Sequence, residues 1–494
     1  VSNCVKLTLR RLYSSSLNAG VNRWNVPAGY DTNIRIYNPI TKTKVPLILK
    51  RKNIATWYTC GPTVYDSTHI GHGTMNITDI DDKIIARSIE VKEDWTQLAR
   101  RYEQEFWTDM KRLGIETPNV QVRVTDHMPQ IIQFTQTLLD KQIAYRHTDG
   151  SVYFHSSKCP TLGKFQCLAD EEHEFKNTKA DFAVWKAAKP NEPYWTAPWG
   201  KGRPGWHIEC SVLASLIFGN SLDFHGGGLD LRFPHHENEE AQCCSYHNID
   251  QWVNYWIHTG QLYVAGESDK MSKSLKNTIN ITELLSNYTA DEFRMLCLLS
   301  HYSNRMDFSA SQMEKARTTC KKIKSFRDDI DAALKGQKIC TNFDSNELHR
   351  QINATSKFID AFLRDDFKTS LCIEHLLVLI KDTNKLLGQS DVTIHQSLST
   401  SNIGDLLTVK NFIDCKLEVF GLNFNESSKI GEANAVNITK IVDSVVEIRN
   451  QLRGSAVETK DMRLFEQCDK IRDILKSSGI ELKDRGNVSS WYYK

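Results

Sequence analysis

Two short stretches of this chain carry groups suited to phosphate chemistry. In His69-Ile70-Gly71-His72 the imidazoles of His69 and His72 can donate hydrogen bonds to phosphate oxygens, and Gly71 permits a nucleotide to approach the backbone closely. Far downstream, Asp269-Lys270-Met271-Ser272-Lys273-Ser274 offers two ammonium groups and two hydroxyls on one loop. Lysine is a mobile point charge, suited to neutralising charge that builds on a transferring or leaving phosphate. Either stretch by itself could equally be a surface turn. A third stretch, GGGLDLRFPHHENEEAQ, places His235, His236 and Glu239 on a predicted helix. Residues four apart share a helix face, so His235 and Glu239 can point at one ion, with Glu240 a quarter-turn away. A His-x-x-x-Glu pair alone is more often a solvated helix face. Cys60 and Cys210 sit where a strand end and a helix start are expected, and two thiolates, one imidazole and one carboxylate would complete the tetrahedron that zinc favours.

The elements that must position these groups are partly legible. From Ile54 the run IATWYTC is short, apolar and rich in β-branched and aromatic residues, and it ends in CGP. This reads as a buried strand stopping at a turn, the opening of a doubly wound sheet. Between about Cys159 and Pro204 the chain is rich in Trp, Pro and Lys and is expected to form an irregular insertion resting on the core. After about Leu284 helix-length segments take over. Ile373, Leu376, Leu377, Ile380 and Leu387 trace one helical face with Gly388 as its stop, and Leu464, Cys468, Ile471 and Leu475 trace another. Such stripes imply a helical bundle.

Composition sets the outer limits. With 494 residues, 40% hydrophobic and 25% charged, the chain is an ordinary globular protein with room for two or three domains. A formal net charge of +2 means that a polyanionic partner must be met by a local patch. The 13 cysteines form no small-scaffold pattern and read as thiols in a reducing compartment, and no apolar run is long enough to span a membrane. Residues 1–30 combine Lys6, Arg10, Arg11 and Arg23 with Ser14, Ser15 and Ser16 before the first acidic residue, Asp31. That is the composition of a mitochondrial transit region, and import into the matrix is expected.

The two phosphate stretches, in this order and so far apart, resemble the paired signatures of class I aminoacyl-tRNA synthetases. YTCGPTVYDSTHIGH, NITDIDDKII, PWGKGRPGWHIECSV and FHGGGLDLRFPHHENEEAQ are similar to the cysteinyl-tRNA synthetase family in particular, mitochondrial type, as is DEFRMLCLLSHY; the likeness spans nearly everything after residue 31. The resemblance implies an α/β Rossmann-type class I catalytic domain with a zinc-binding insertion over 31–284, followed by an all-α bundle that reads the anticodon arm over 285–432 and a small helical unit over 433–494. It implies zinc held by Cys60, Cys210, His235 and Glu239, and a cysteine pocket lined by Gly61, Thr78, Trp206 and His225. ATP, with Mg2+, would be served by His69, Gly71, His72, Lys270 and Lys273. The implied reaction is attack of the cysteine carboxylate on the α-phosphate of ATP, then transfer to tRNA(Cys), with catalysis by positioning and electrostatics. Candidate basic contacts for the tRNA are Lys315, Arg317, Lys321, Lys322 and Lys324.

Taken without the family, Trp206 reads as core, His225 as a satisfied buried histidine and Thr78 as a cap before Asp79. The chain also departs from the family pattern: between His72 and NITDIDD only Gly73, Thr74 and Met75 remain, where a helix and a second parallel strand are expected. Roughly 20 residues are missing for a parallel crossover of that kind. Two other readings follow, a non-catalytic zinc and tRNA-binding relative, and a ligase joining cysteine to a small amino-sugar acceptor. The long helical region after Leu284 counts against the second.

Overall fold

The computed structural model describes residues 24–65, 76–165, 180–264, 279–334, 343–387, 399–424, 438–485 and 488–493. They form two compact units, residues 1–425 and 426–494.

In the first unit the central strand Leu222–Gly228 lies between Trp57–Thr59 and Val253–Thr259, all parallel. It is buried through all but its last residue, the continuous pattern of a strand covered on both faces. The register sets Tyr58 and Trp256 on either side of His225, and Thr59 and Ile257 on either side of Gly226. Ligand sites in such sheets lie at the carboxyl ends of the strands, here Cys60 and the glycines Gly226 to Gly228. Beyond Cys60 the sheet continues through a parallel bridge between Thr63 and Thr78. The short strand Asn76–Ile77 that leads into Thr78 pairs on with Val122–Arg123.

An antiparallel hairpin, Tyr30–Asn38 with Thr43–Leu49, precedes this sheet. Its inward residues Ile36, Val45, Leu47 and Leu49 share a core with Phe224, Tyr255 and Ile257. The fold starts earlier than the expected 1–30 transit region allows. Trp24 donates its indole N–H to the Asn254 carbonyl at 2.7 Å and tilts over Tyr255, and the Asn25 N–H reaches Gln251.

The segment expected to be irregular is a correction. Phe182–Ala187, Trp195–Ala197 and Gly200–Pro204 join Ala144–Arg146 and Val152–Phe154 in a five-stranded antiparallel sheet. Phe182, Val184 and Trp185 are buried, and Phe154 stacks on Phe182. Tryptophan is a good strand former, and the prolines fall between strands or at a strand's last residue, where no ladder hydrogen bond is lost.

The helices Ala290–Leu298, Ala310–Leu334, Ser345–Arg364, Thr369–Leu387 and Thr400–Val419 form the bundle. Ala290–Leu298 opens on a reciprocal capping box between Thr289 and Glu292. Of the predicted stripe, Ile373, Leu376, Ile380 and Leu387 are buried and Leu377 is partly so. Gly388 lies outside the described residues. One apolar core runs from Leu98, Phe106 and Met110 through Leu284 and Phe293 to Ile323, Leu376 and Leu417. The expected boundary at 284/285 therefore crosses a continuous core.

The second unit was expected to be helical, and it is not wholly so. Helices Ile438–Thr459 and Met462–Ser477 are followed by an antiparallel hairpin, Ile480–Arg485 with Val488–Tyr493. Val442, Val446, Leu475 and Ile480 form its core. Arg449, 1% exposed, bonds the Cys468 carbonyl, Asp484 and Ser489. Among the described residues no helix is long and apolar enough to cross a membrane.

Candidate metal and substrate site

Cys60 follows the strand Trp57–Thr59, and its N–H is held by the Gly226 carbonyl at 3.2 Å. Cys210 lies in the helix Trp206–Phe218, one turn after Trp206. His235 closes a kinked turn, Arg232–His236, and Glu239 sits in the first turn of the helix Glu237–His247. The backbone departs from helical angles at Phe233, before the predicted trio, and from His235 through Glu239 it is helical, so the expected i,i+4 pairing forms: His235 Nε2 is 2.9 Å from Glu239 Oε1. Cys60 Sγ lies 3.3 Å from that same oxygen. The ligand atoms of Cys60, Cys210, His235 and Glu239 all fall within 4.8 Å of one another, and all four residues are buried.

Ligand bonds of zinc to sulfur and nitrogen imply edges of about 3.4 Å between ligand atoms of a tetrahedron. The 3.3 Å between Cys60 and Glu239 is close to that value, and the His235–Glu239 pair at 2.9 Å would open by about half an ångström to take a metal between them. The protonation pattern also suits a dication. The contact with Cys60 draws Cys210 down to about 6, while burial and the same contact push Cys60 up. Burial opposes a charged His235, but Glu239 and Cys210 outweigh it and hold the imidazole up at about 10. Burial likewise opposes the Glu239 carboxylate, and His225 and His235 overcome it to keep it well below the usual range. Cys210 and Glu239 are thus shifted toward their ionised forms, whereas Cys60 and His235 favour protons that a bound metal would have to displace. The donor set fits zinc.

The predicted substrate residues surround this tetrad. Trp206, 41% exposed, stacks on His235 with ring centroids 4.3 Å apart, which is not the environment of a core tryptophan. His225 is fully buried, and its Nε2 meets Glu239 Oε2 at 2.9 Å. Thr78 caps no helix. Its hydroxyl donates to Glu209 at 3.3 Å, on the helix face shared by Trp206 and Cys210. Gly61 donates its N–H to Asn76 Oδ1 at 2.5 Å, and a Cβ there would fall on the Asn76 carbonyl, so only glycine fits. The predicted ATP residues His69, Gly71, His72, Lys270 and Lys273 lie outside the described residues.

Sequence reasoning missed the groups that brace the site. His207 Nδ1 is 2.9 Å from His235 Nδ1, and His258 Nε2 is 2.9 Å from His236 Nδ1. Glu237 accepts the N–H groups of Gly163, Lys164 and Phe165, and Glu240 takes the buried Lys164 ammonium at 2.7 Å and the N–H groups of Trp252 and Val253. The Phe165 ring then stands edge-on to Trp256 and His258. The only signal for these in the sequence is the adjacency of His207 to Trp206 and of Glu237 and Glu240 to Glu239.

Parallel strands ending at a buried Cys, Cys, His, Glu cluster, followed by a helical bundle, match the architecture of class I aminoacyl-tRNA synthetases. Residues 74–318 match the family model for the class I (C) tRNA synthetase catalytic domain. Methionyl-tRNA synthetase of Mycobacterium tuberculosis in complex with methionyl-adenylate shares the fold, with a TM-score of 0.53 over 74% of this chain and 90% of that one at 13% identity. A probable mitochondrial cysteine–tRNA ligase of Xenopus tropicalis is 38% identical over 522 aligned residues, covering 95% of this chain and 91% of its own. The cysteine–tRNA ligase of Thermococcus onnurineus is 36% identical over 93% of this chain and 98% of its own. The chain belongs to the cysteine–tRNA ligase family.

Proposed function

We propose that this protein activates L-cysteine with ATP and transfers it to tRNA(Cys) in the mitochondrial matrix. The observation that carries the reading is the convergence of Cys60, Cys210, His235 and Glu239, brought from four separate elements into one buried cluster. A zinc ion bound there supplies a Lewis-acidic partner for the substrate sulfur, and a thiolate is a far better zinc ligand than the serine hydroxyl. Discrimination can then rest on one polar contact. Trp206, stacked on His235, borders the cluster on the side of Cys210, with Thr78 beside Glu209 and Gly61 pressed against Asn76 next to Cys60, and in this reading these three line the cysteine pocket together with His225.

His69, Gly71 and His72 with Lys270 and Lys273 hold the ATP phosphates, together with Mg2+, in this reading, and the carboxylate of cysteine attacks the α-phosphate as pyrophosphate leaves. Residues 285–432 and 433–494 contact the tRNA. Lys315, Lys321, Lys322 and Lys324 are exposed along one helix, whereas Arg317 is engaged with Glu292 and the Asn287 carbonyl. The arginine- and serine-rich composition of residues 1–30 and the name of the Xenopus relative support the mitochondrial assignment. The test is cysteine-dependent exchange of pyrophosphate into ATP, with serine and a chelator as controls. Exchange with cysteine alone, lost on chelation, is expected; exchange that persists in chelator, or equal exchange with serine, overturns the metal-based reading.

A further inference from the structure

Cys60 and Glu239 belong to two ligand sets. Besides Cys210 and His235 they gather with His225 and His236, and in this second set too the four ligand atoms lie within 4.8 Å of one another in buried surroundings. The Glu239 carboxylate faces both ways: Oε1 lies 2.9 Å from His235 Nε2, and Oε2 lies 2.9 Å from His225 Nε2. His236 Nε2 is 3.4 Å from Cys60 Sγ. Neighbouring residues in sequence, His235 and His236, thus aim their Nε2 atoms at different halves of one cluster.

Metal-ligating histidines have their far ring nitrogen held by a partner, which fixes ring orientation and tautomer. His235 has this from His207, and His236 has it from His258, each at 2.9 Å. Gly227 is shaped to the same end, since a Cβ there would come within 2.8 Å of the His236 ring. His225 has its Nδ1 buried without a hydrogen-bond partner, which makes it the weaker of the two added ligands.

We propose that His225 and His236, with Cys60 and Glu239, form a second ligand set for the same divalent ion, able to hold it when Cys210 and His235 do not. This rests on the reading of the first tetrad as a zinc site. The first set offers two sulfurs, one nitrogen and one oxygen; the second offers one sulfur, two nitrogens and one oxygen; zinc accepts both. Passage between them is ligand exchange only. Bonds to Cys210 Sγ and His235 Nε2 would be replaced by bonds to the Nε2 lone pairs of His225 and His236, with Cys60 and Glu239 retained and no change of oxidation state.

The test uses full-length protein loaded with Co2+, read by metal stoichiometry and by the thiolate-to-cobalt charge-transfer band. Wild type is expected to bind one ion per chain. Cys210→Ala is expected still to bind one, with about half the charge-transfer intensity because one of two thiolates remains. His235→Ala, which also breaks the first set, is expected to keep one ion at the wild-type cobalt saturation point. Adding His236→Ala to either variant is expected to lower occupancy more than tenfold, whereas His236→Ala alone leaves stoichiometry and intensity unchanged. A folded Cys210→Ala or His235→Ala protein that is metal-free where wild type is saturated overturns the proposal. So does a stoichiometry of two. A wild type that binds no cobalt would instead refute the zinc reading on which it rests.

Discussion

His235 and Glu239, one helical turn apart just after the kink at Phe233, meet at 2.9 Å. The same Glu239 carboxylate also faces His225, so it belongs to both ligand sets. Glu239→Gln is therefore expected to weaken metal binding by at least about 100-fold, measured by competition with a chromophoric chelator. Cysteine-dependent exchange should fall with it. Tight metal binding by the folded variant would show that Glu239 is not a ligand.

Lys164 is 4% exposed, and its ammonium lies 2.7 Å from Glu240 and 2.5 Å from the Asp250 carbonyl. Lys164→Met leaves a buried carboxylate without its cation and is expected to cost about 3 kcal/mol in denaturant unfolding. The double variant Lys164→Met/Glu240→Gln should recover part of that loss. A double variant that loses as much as the two singles summed, or more, would mean that the two do not act as a pair.

Asp484 receives Arg449, Arg453 and Arg472. Burial raises its pKa, but the hydrogen bonds from Arg449 and Ser489 and the charges of Arg449 and Arg472 overcome this and hold it far below the usual carboxylate range. A depressed carboxylate contributes stability that is complete above the unfolded-state value of about 3.9 and is lost as pH falls toward the folded one. Amide exchange in the hairpin Ile480–Arg485 and Val488–Tyr493 should accelerate, relative to intrinsic rates, from about pH 4 downward. Asp484→Asn should be less protected at neutral pH and lose that extra acid sensitivity; an unchanged pH profile would count against the cluster.

Two truncations, one removing residues 1–23 and one removing residues 1–30, differ in whether Trp24 is kept. Removal through residue 30 takes away the Trp24 bond to Asn254 and its packing on Tyr255. A loss of about 1–2 kcal/mol is expected, read as a lower Tm. Equal Tm for the two truncations would show that residues 24–30 contribute nothing.

Thr63 and Thr78 bridge in parallel, yet only the segment between them is available for a crossover that ordinarily needs a dozen residues and a helix. Insertion of a family-length segment of ~20 residues after Gly73 is expected to raise cysteine-dependent exchange at least tenfold. No gain from a folded, metal-loaded insertion variant would mean that the short connection does not limit the chemistry.

Much of the site is legible in the sequence because its residues sit at punctuation points: Cys60 at a strand end, Cys210 in the first turns of a helix, His235 and Glu239 four apart. What spacing could not supply was convergence, and only the family resemblance bound the four together. The bracing groups stayed hidden for the same reason. His258 is far in sequence from His236, and Lys164 stands in a segment whose composition gave no periodicity. The strands at Phe182–Ala187 and Gly200–Pro204 were masked by prolines and tryptophans that read as irregular. The last hairpin was missed although Gly486-Asn487 separates its two runs, a recognised hairpin signal. The bundle was easier, since apolar stripes such as Ile373, Leu376 and Ile380 require no distant partner to be seen.

The unbroken core from Leu98 to Leu417 has a further bearing on how such a chain can change over time. A recombination break at residue 284 would split Leu284 from Phe293 and strand apolar faces on both products, so the helix that carries Leu98, Phe106 and Met110 and the five-helix bundle must be inherited together. Residues 426–494 have a core of their own around Val442, Val446, Leu475 and Ile480. A break between the two units would leave both of these cores whole.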